Sequence, residues 1–181
     1  MLEDKILLLK FKFGSKDALA GIYKKYRKYL LRLSTALLHQ TEDAEDIVHD
    51  VFVSFAQSEE KIKLRGSLKS YLATCVVNRT RNFSRAQRIR TAACLDENCQ
   101  AATNEEGLEH WIICNEESRR LSKALAELAY EQRETVVLHI QGEMKFKEIA
   151  EIQNVSINTV QSRYRYGIEK LRTILDSEAK K

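Results

Sequence analysis

The chain has 181 residues, of which 31% are charged and 44% hydrophobic, which is typical of a folded globular protein rather than a disordered one. It contains no proline and only six glycines, so long uninterrupted helices are favoured over sheets with tight turns. The formal net charge of +4 is small, and the clustering of charge therefore says more about partners than the total does.

Neither a membrane segment nor a secretory signal is predicted. No apolar run approaches the ~18 residues that a membrane span needs. The first ten residues place acids ahead of a short apolar patch, the reverse of a secretory signal, so we expect a cytoplasmic protein. The cysteines lack the close pairing of most zinc sites, and we expect free thiols and neither a metal nor a cofactor; they are Cys75, Cys94, Cys99 and Cys114.

Two helices are predicted in the first sixty residues. A single apolar stripe at steps of three and four predicts a helix from about Lys16 to Leu38, with a basic face that is most simply solvated. Thr41 is a good N-cap for a second helix, whose apolar residues run from Ala44 to Phe55 in helical spacing. A polar loop is predicted from Gln57 to Gly66.

A third helix is predicted from near Ser67, and its outward face is unusually basic. Residues 78–90 contain five arginines and no acid, whereas a solvated face normally mixes both signs. The residues predicted to share this face are Asn78, Arg81, Asn82, Arg85 and Arg88.

The charge reverses sign after residue 90. Residues 91–118 hold seven acids and no Lys or Arg, with weak periodicity. We therefore predict an all-α protein of two small helical domains, residues 1–90 and 116–181, joined by a flexible acidic linker over 91–115.

The C-terminal domain is predicted to contain a helix-turn-helix. A short helix with Ile149 and Ile152 inward meets a turn at residues 154–156, where Asn154 accepts a left-handed conformation. Ser156 then caps a helix with Val160, Tyr164, Ile168, Leu171 and Leu175 on its buried side. The residues predicted to be exposed for contact with base edges in the major groove are Asn158, Thr159, Gln161, Ser162, Arg163, Arg165 and Tyr166.

Two basic helical faces on a tether indicate nucleic-acid binding, since arginines suit a phosphate backbone and two weak sites reinforce each other. The alternative for the C-terminal part is a three-helix interaction module that touches no DNA. An enzyme is not expected, because the four histidines are scattered without catalytic spacing; they are His39, His49, His110 and His139.

Four segments, in order, resemble the extracytoplasmic-function (ECF) group of bacterial sigma factors. Residues 43–52, Asp-Ala-Glu-Asp-Ile-Val-His-Asp-Val-Phe, look like region 2.2, and residues 68–90 look like regions 2.3 and 2.4. Residues 125–138 look like region 4.1, and residues 146–171 look like region 4.2.

The resemblance implies the partners of each surface. Asp46, His49 and Asp50 would face the clamp helices of core RNA polymerase, and the region 4 domain would dock on the polymerase flap. The stripe from Asn78 to Arg88 would contact the promoter's minus-ten element, and residues 158–166 the minus-thirty-five element. An anti-sigma factor is a further partner that this group often has.

One competing function stays open at this point. A stand-alone helix-turn-helix regulator would bind duplex operators through residues 145–172 without polymerase. The first ninety residues show neither a ligand-pocket pattern nor a receiver-type β/α pattern, which argues against it.

Overall fold

The computed structural model describes residues 2–38, 41–58, 67–94 and 116–178, which are helical apart from short turns and contain no strand. The eight helices within these ranges are α1 (Leu2–Lys12), α2 (Lys16–Leu38), α3 (Thr41–Ala56), α4 (Leu68–Cys94), α5 (Glu116–Ala126), α6 (Tyr130–Ile140), α7 (Phe146–Gln153) and α8 (Ile157–Glu178). The predicted all-α class is confirmed.

The described residues fall into two compact units, residues 2–34, 42–58 and 67–94 in the first and 35–38, 41 and 116–178 in the second. Helix α4 continues through residues 91–94, which the charge pattern had assigned to the linker. The acidic stretch from 95 to 115 lies outside the described residues, so the linker stays a prediction.

Aromatic rings tie the helices of the first unit together. The rings of Phe11 in α1 and Phe55 in α3 stack with their centroids 4.8 Å apart. The rings of Tyr23 in α2 and Phe52 in α3 meet edge to face with their centroids 4.7 Å apart, and the Phe55 and Tyr71 ring centroids are 6.3 Å apart, which brings in α4. The aliphatic positions that the helical spacing marked as apolar in α3 and α4 are buried at this centre; among them are Ile47, Val48, Val51, Leu68, Leu72 and Val76.

Helix α1 was not predicted from the sequence, and polar contacts with α2 hold it. Asp4 accepts hydrogen bonds from Lys25 Nζ at 2.9 Å and from the Tyr26 hydroxyl at 2.8 Å. Gly14, with φ of 79°, ends the helix in the left-handed conformation, and the Ser15 hydroxyl then accepts the Ala18 N–H at 3.3 Å to begin α2. Tertiary contacts rather than an apolar stripe therefore define this helix.

The predicted beginning of α4 near Ser67 is confirmed, because the Ser67 hydroxyl accepts the N–H of Ser70 at 3.0 Å. The predicted polar loop before it, from Gln57 to Gly66, shows a turn at 57–58, and its remaining residues lie outside the described ranges.

In the second unit α8 packs against α5, α6 and α7. Gly167 of α8 is buried against α6, and a Cβ placed there would come within 2.9 Å of a Val136 methyl. The close approach of these two helices fixes α8 along its middle, and the buried Val160 packs the N-terminal half of α8 into the same unit.

The helix-turn-helix prediction is confirmed. Asn154 has φ of 52° and ψ of 47°, the left-handed conformation expected between α7 and α8. The Ser156 hydroxyl accepts the N–H of Thr159 at 3.1 Å and so caps α8. On the predicted inner side Val160 and Leu171 are buried, while Tyr164, Ile168 and Leu175 are half-buried.

Candidate nucleic-acid and protein interfaces

The outward face of α3 is acidic. Asp46, His49 and Asp50 are exposed, as the helical spacing predicts, and Val53 joins them one turn later with 40% of its surface exposed. Because residues at i, i+3, i+4 and i+7 share one side of a helix, these four form a single patch. The sequence analysis missed Val53 because it assigned only polar residues to this patch.

One member of the acidic patch is already bound within the protein. Arg79 of α4 donates through Nη1 to Asp50 Oδ2 at 2.8 Å, and its other terminal nitrogen donates to the Ser54 hydroxyl. The two charged side chains remain partly in water, with 37% of Arg79 and 60% of Asp50 exposed. This pair joins the acidic helix α3 to the basic helix α4.

The basic face of α4 is centred on Asn78, Asn82 and Arg85, which are exposed. Arg81 lies half-buried at the side of this face, and the side chain of Arg88 is outside the described residues. The structure adds Ile89, which is 61% exposed and lies in line with Arg85. The sequence analysis did not assign Ile89 to this face because it considered only polar and basic residues there.

Five of the seven residues of α8 that were predicted to be exposed are exposed in the structure. Asn158, Gln161, Ser162, Arg165 and Tyr166 are exposed in the first three turns. The guanidinium carbon of Arg165 lies 5.0 Å from the centroid of the Tyr166 ring, within the range of a cation–π contact. These residues present amide, hydroxyl, guanidinium and aromatic groups together, the chemistry that recognises base edges in a major groove.

The prediction that Thr159 and Arg163 are equally exposed was wrong. Both are half-buried. The Thr159 hydroxyl pairs with that of Ser156 at 2.9 Å, and Arg163 Nη1 donates to Gln153 Oε1 at 2.7 Å. They lie at the side of α8 that turns toward α7, where partners separated by three and ten residues satisfy them.

Gln153 is the centre of a polar network beneath the recognition face. Its amide nitrogen donates to the carboxylate of Glu134 at 3.1 Å and to the hydroxyl of Thr135 at 3.0 Å, while its oxygen accepts from Arg163. Glu134 is only 1% exposed, so it needs such donors inside the protein. One amide thus connects α6, α7 and α8.

The cysteine and histidine side chains that the structure describes do not assemble a metal site. No three His, Cys, Asp or Glu side chains come together as ligands in the described ranges.

Burial raises the pKa of the Cys75 thiol above its ordinary value, against the opposing influence of Tyr71 and Arg79, and Cys75 is free. Cys94, Cys99 and Cys114, with His39 and His110, fall outside the side chains described. His139 stacks on Phe146 at 4.3 Å between ring centroids.

No helix in the described part of the chain combines the length and hydropathy that crossing a membrane requires.

The two units match two family models. Residues 22–89 match sigma-70 region 2, and residues 118–171 match sigma-70 region 4. Together the two matches cover two thirds of the chain and contain α3, α4 as far as residue 89, and the helix-turn-helix as far as residue 171.

Relatives and solved structures agree with these models. The chain is 23% identical to the RNA polymerase sigma factor CnrH of Cupriavidus metallidurans over 98% of this chain and 97% of CnrH. It is 25% identical to the ECF RNA polymerase sigma factor SigW of Bacillus subtilis over 89% of this chain and 90% of SigW.

The fold is also similar to two sigma factors solved with partners. CnrH in complex with the cytosolic domain of CnrY superimposes with a TM-score of 0.69, at 21% identity over 97% of this chain and 98% of CnrH. RpoE in complex with the anti-sigma factor NepR, from Bartonella quintana, superimposes with a TM-score of 0.64, at 20% identity over 86% of this chain and 97% of RpoE.

The chain belongs to the sigma-70 family of transcription initiation factors, in its ECF group. It is a sigma factor that directs promoter-specific initiation by RNA polymerase. The reading as a stand-alone operator-binding regulator is not favoured, since region 2 would have no role in it.

Proposed function

We propose that this sigma factor binds its partners through three surfaces. The acidic patch of α3 binds core polymerase, and the basic face of α4 binds the minus-ten element. The first turns of α8 bind the minus-thirty-five element. The observation that carries the proposal is the separation of charge between two helices of one unit. Asp46 and Asp50 face outward on α3, while the cations Arg85 and Arg90 are exposed on α4, with the amides of Asn78 and Asn82 on the same helix.

The acidic patch suits a basic protein surface. Opposite charge guides two proteins together, and Val53 supplies apolar contact area beside the carboxylates. The clamp helices of core polymerase are the partner that the family assigns to this helix, and the flap is the partner for the second unit.

The α4 face suits melted promoter DNA. Arg85 offers a forked donor for phosphates, and the amides of Asn78 and Asn82 can pair with the edge of an unstacked base. Ile89 offers an apolar surface for a base face or a thymine methyl group.

The α8 face suits duplex DNA in the major groove. Gln161 and Asn158 can bind adenine and Arg165 can bind guanine, each by two hydrogen bonds. Arg163 has the different task of holding Gln153, and we assign it to positioning rather than to base contact.

Cytoplasmic location follows from a function at the bacterial chromosome. Regulation by an anti-sigma factor is supported by the fold that this chain shares with RpoE, which was solved bound to NepR. We therefore propose an anti-sigma factor as a third partner, beside polymerase and promoter DNA.

The test is reconstitution with core polymerase, followed by selection of promoters from a random DNA library. We expect enrichment of two short elements spaced as minus-ten and minus-thirty-five sequences, and only when core is present. Enrichment of a single duplex element by the chain alone, in gel shift without core, would instead identify an operator-binding regulator.

Within this assay Asp46→Ala tests the polymerase surface, with Asp17→Ala on the exposed beginning of α2 as a control of equal charge change. We expect weaker capture of core by Asp46→Ala alone. Equal capture by both variants would contradict the assignment of α3.

A further inference from the structure

The Arg79–Asp50 ion pair connects two surfaces that the proposed function gives to different partners. Asp50 belongs to the acidic patch for polymerase, and Arg79 lies on α4 beside the face for DNA. Asn82 is three residues after Arg79, so the two side chains are neighbours on the helix surface. An Arg79 side chain turned away from Asp50 would therefore extend the basic face of α4.

The same pair competes with the proposed partner of each group. While the pair is closed, Arg79 offsets the charge of the Asp50 carboxylate, and the Arg79 guanidinium is directed to Asp50 and Ser54 of α3 rather than to a phosphate. By contrast, no cation pairs with Asp46 in the described part of the chain, although it lies one turn earlier on the same face.

The pair is placed to open. More than a third of Arg79 and more than half of Asp50 remain in water, and ion pairs exposed to this extent are weak because solvent screens them. A basic group on a protein partner can compete for Asp50 at little cost, because one charge-assisted hydrogen bond replaces another.

We propose that Arg79 is an exchange residue: in the free protein Asp50 holds it, and when a cation of core polymerase takes Asp50, Arg79 is released to bind a phosphate of promoter DNA. This inference rests on the proposed function, and it adds a coupling between the two partners. DNA affinity of region 2 then increases when polymerase binds, because Arg79 contributes one more phosphate contact.

The test mimics release by removing Asp50. Binding of the full chain to a fluorescein-labelled oligo(dT) 20-mer is measured by anisotropy across a range of salt, because each phosphate contact to a single strand adds about 0.7 to the slope of log affinity against log salt. Asp50→Ala is expected to steepen the slope by about 0.7 and to tighten binding at low salt.

The matched control is Asp46→Ala, which removes the same charge one turn away and leaves Arg79 held. We expect its slope to stay at that of the parent. In the double variant Asp50→Ala with Arg79→Gln, the added slope should disappear. Thermal unfolding followed by circular dichroism checks that all variants keep the fold, as expected because Asp46, Asp50 and Arg85 are exposed and Arg79 is partly exposed.

Equal slopes for Asp50→Ala and Asp46→Ala would overturn the inference, since net charge alone would then explain the change. Persistence of the added slope in the double variant would overturn it too, because another cation would be responsible.

Arg85→Ala separates this result from the proposed function. If Arg85→Ala lowers the slope while Asp50→Ala adds nothing, α4 binds DNA and only the exchange is wrong. If Arg85→Ala changes nothing, or if no variant binds the oligonucleotide at low salt, both the exchange and the DNA assignment of α4 are wrong.

Discussion

At the scale of single residues, Gln153 shows how a polar side chain supports a binding surface that it does not join. Its nitrogen and oxygen are both used, by Glu134 and Arg163 respectively. Glu134 is almost fully buried, and loss of a donor to a buried carboxylate costs more than the hydrogen bond itself contributes.

We therefore predict that Gln153→Ala lowers the free energy of unfolding by about 1–3 kcal/mol. The measurement is urea unfolding of the whole chain followed by circular dichroism. Gln161→Ala is the control, since this exposed residue should change stability by less than about 0.5 kcal/mol while weakening promoter recognition. Equal stability of the two variants would contradict a structural role for Gln153.

A second residue-scale prediction concerns acid stability. Burial opposes ionisation of Asp4, but hydrogen bonds from Lys25 and Tyr26 hold its pKa below the ordinary value of 3.8. Ionised Asp4 thus contributes stability that is present above pH 3.8 and is lost as the pH falls through the lower pKa of the folded state.

Asp4→Asn should accordingly be less stable than the parent near neutral pH, and the difference should shrink in acid. Melting temperatures between pH 2 and pH 7 measure it. Glu3→Gln, whose side chain is 73% exposed and also meets Lys25, should show a smaller change. A difference that stays constant down to the lowest pH would rule out the Asp4 contribution.

The same residues show that local sequence patterns predict turns and caps but not contacts between distant segments. Asn154 and Ser156 were predictable because a left-handed turn and an N-cap are local requirements. The partners Asp50 and Arg79 are 29 residues apart, and Gln153 and Glu134 are 19 apart, so no local pattern joins them. Arg163 was misjudged because helical spacing alone cannot distinguish an exposed arginine from one that a neighbouring helix holds.

At the scale of elements, some helices were predicted by the spacing of their apolar residues and one was not. Helices α2 and α3 carry a continuous apolar stripe, and the spacing located both. Helix α1 leaves Ile6 and Leu9 exposed and buries Phe11, so its apolar residues form no single stripe. Its position depends on contacts with α2 and α3 that are distant in sequence.

The prediction at the scale of elements concerns the outward face of α4. Arg85→Ala should leave capture of core polymerase unchanged but impair promoter opening, because a phosphate contact near the melted strand is lost. Permanganate footprinting of unpaired thymines measures opening, with a pre-melted template to show that later steps are intact.

Arg32→Ala is its control, because Arg32 is an exposed arginine on α2 and its loss changes the net charge equally. Normal opening by Arg85→Ala at elevated salt would make the α4 face an ordinary solvated surface.

At the scale of the whole molecule, the prediction concerns where a protease first cuts the acidic linker. Residues 91–118, with seven acids, no Lys or Arg and little periodicity, cannot bury a core of their own. A glutamate-specific protease should therefore cut first between residues 97 and 117 and release two helical fragments, detected by mass spectrometry. First cleavage within 41–56 or 120–175 would contradict the proposed domain boundary.

The separation of the Gln153 network from the exposed face of α8 has a consequence for how such a factor diversifies. Gln161, Ser162 and Arg165 have solvent around them, so their replacement disturbs no packed neighbour. Mutations can therefore explore new promoter preferences while the supporting helices keep their stability, and neutral drift at these positions is open to selection. A gene duplicate of this factor could acquire a separate regulon through a few substitutions in three turns of one helix.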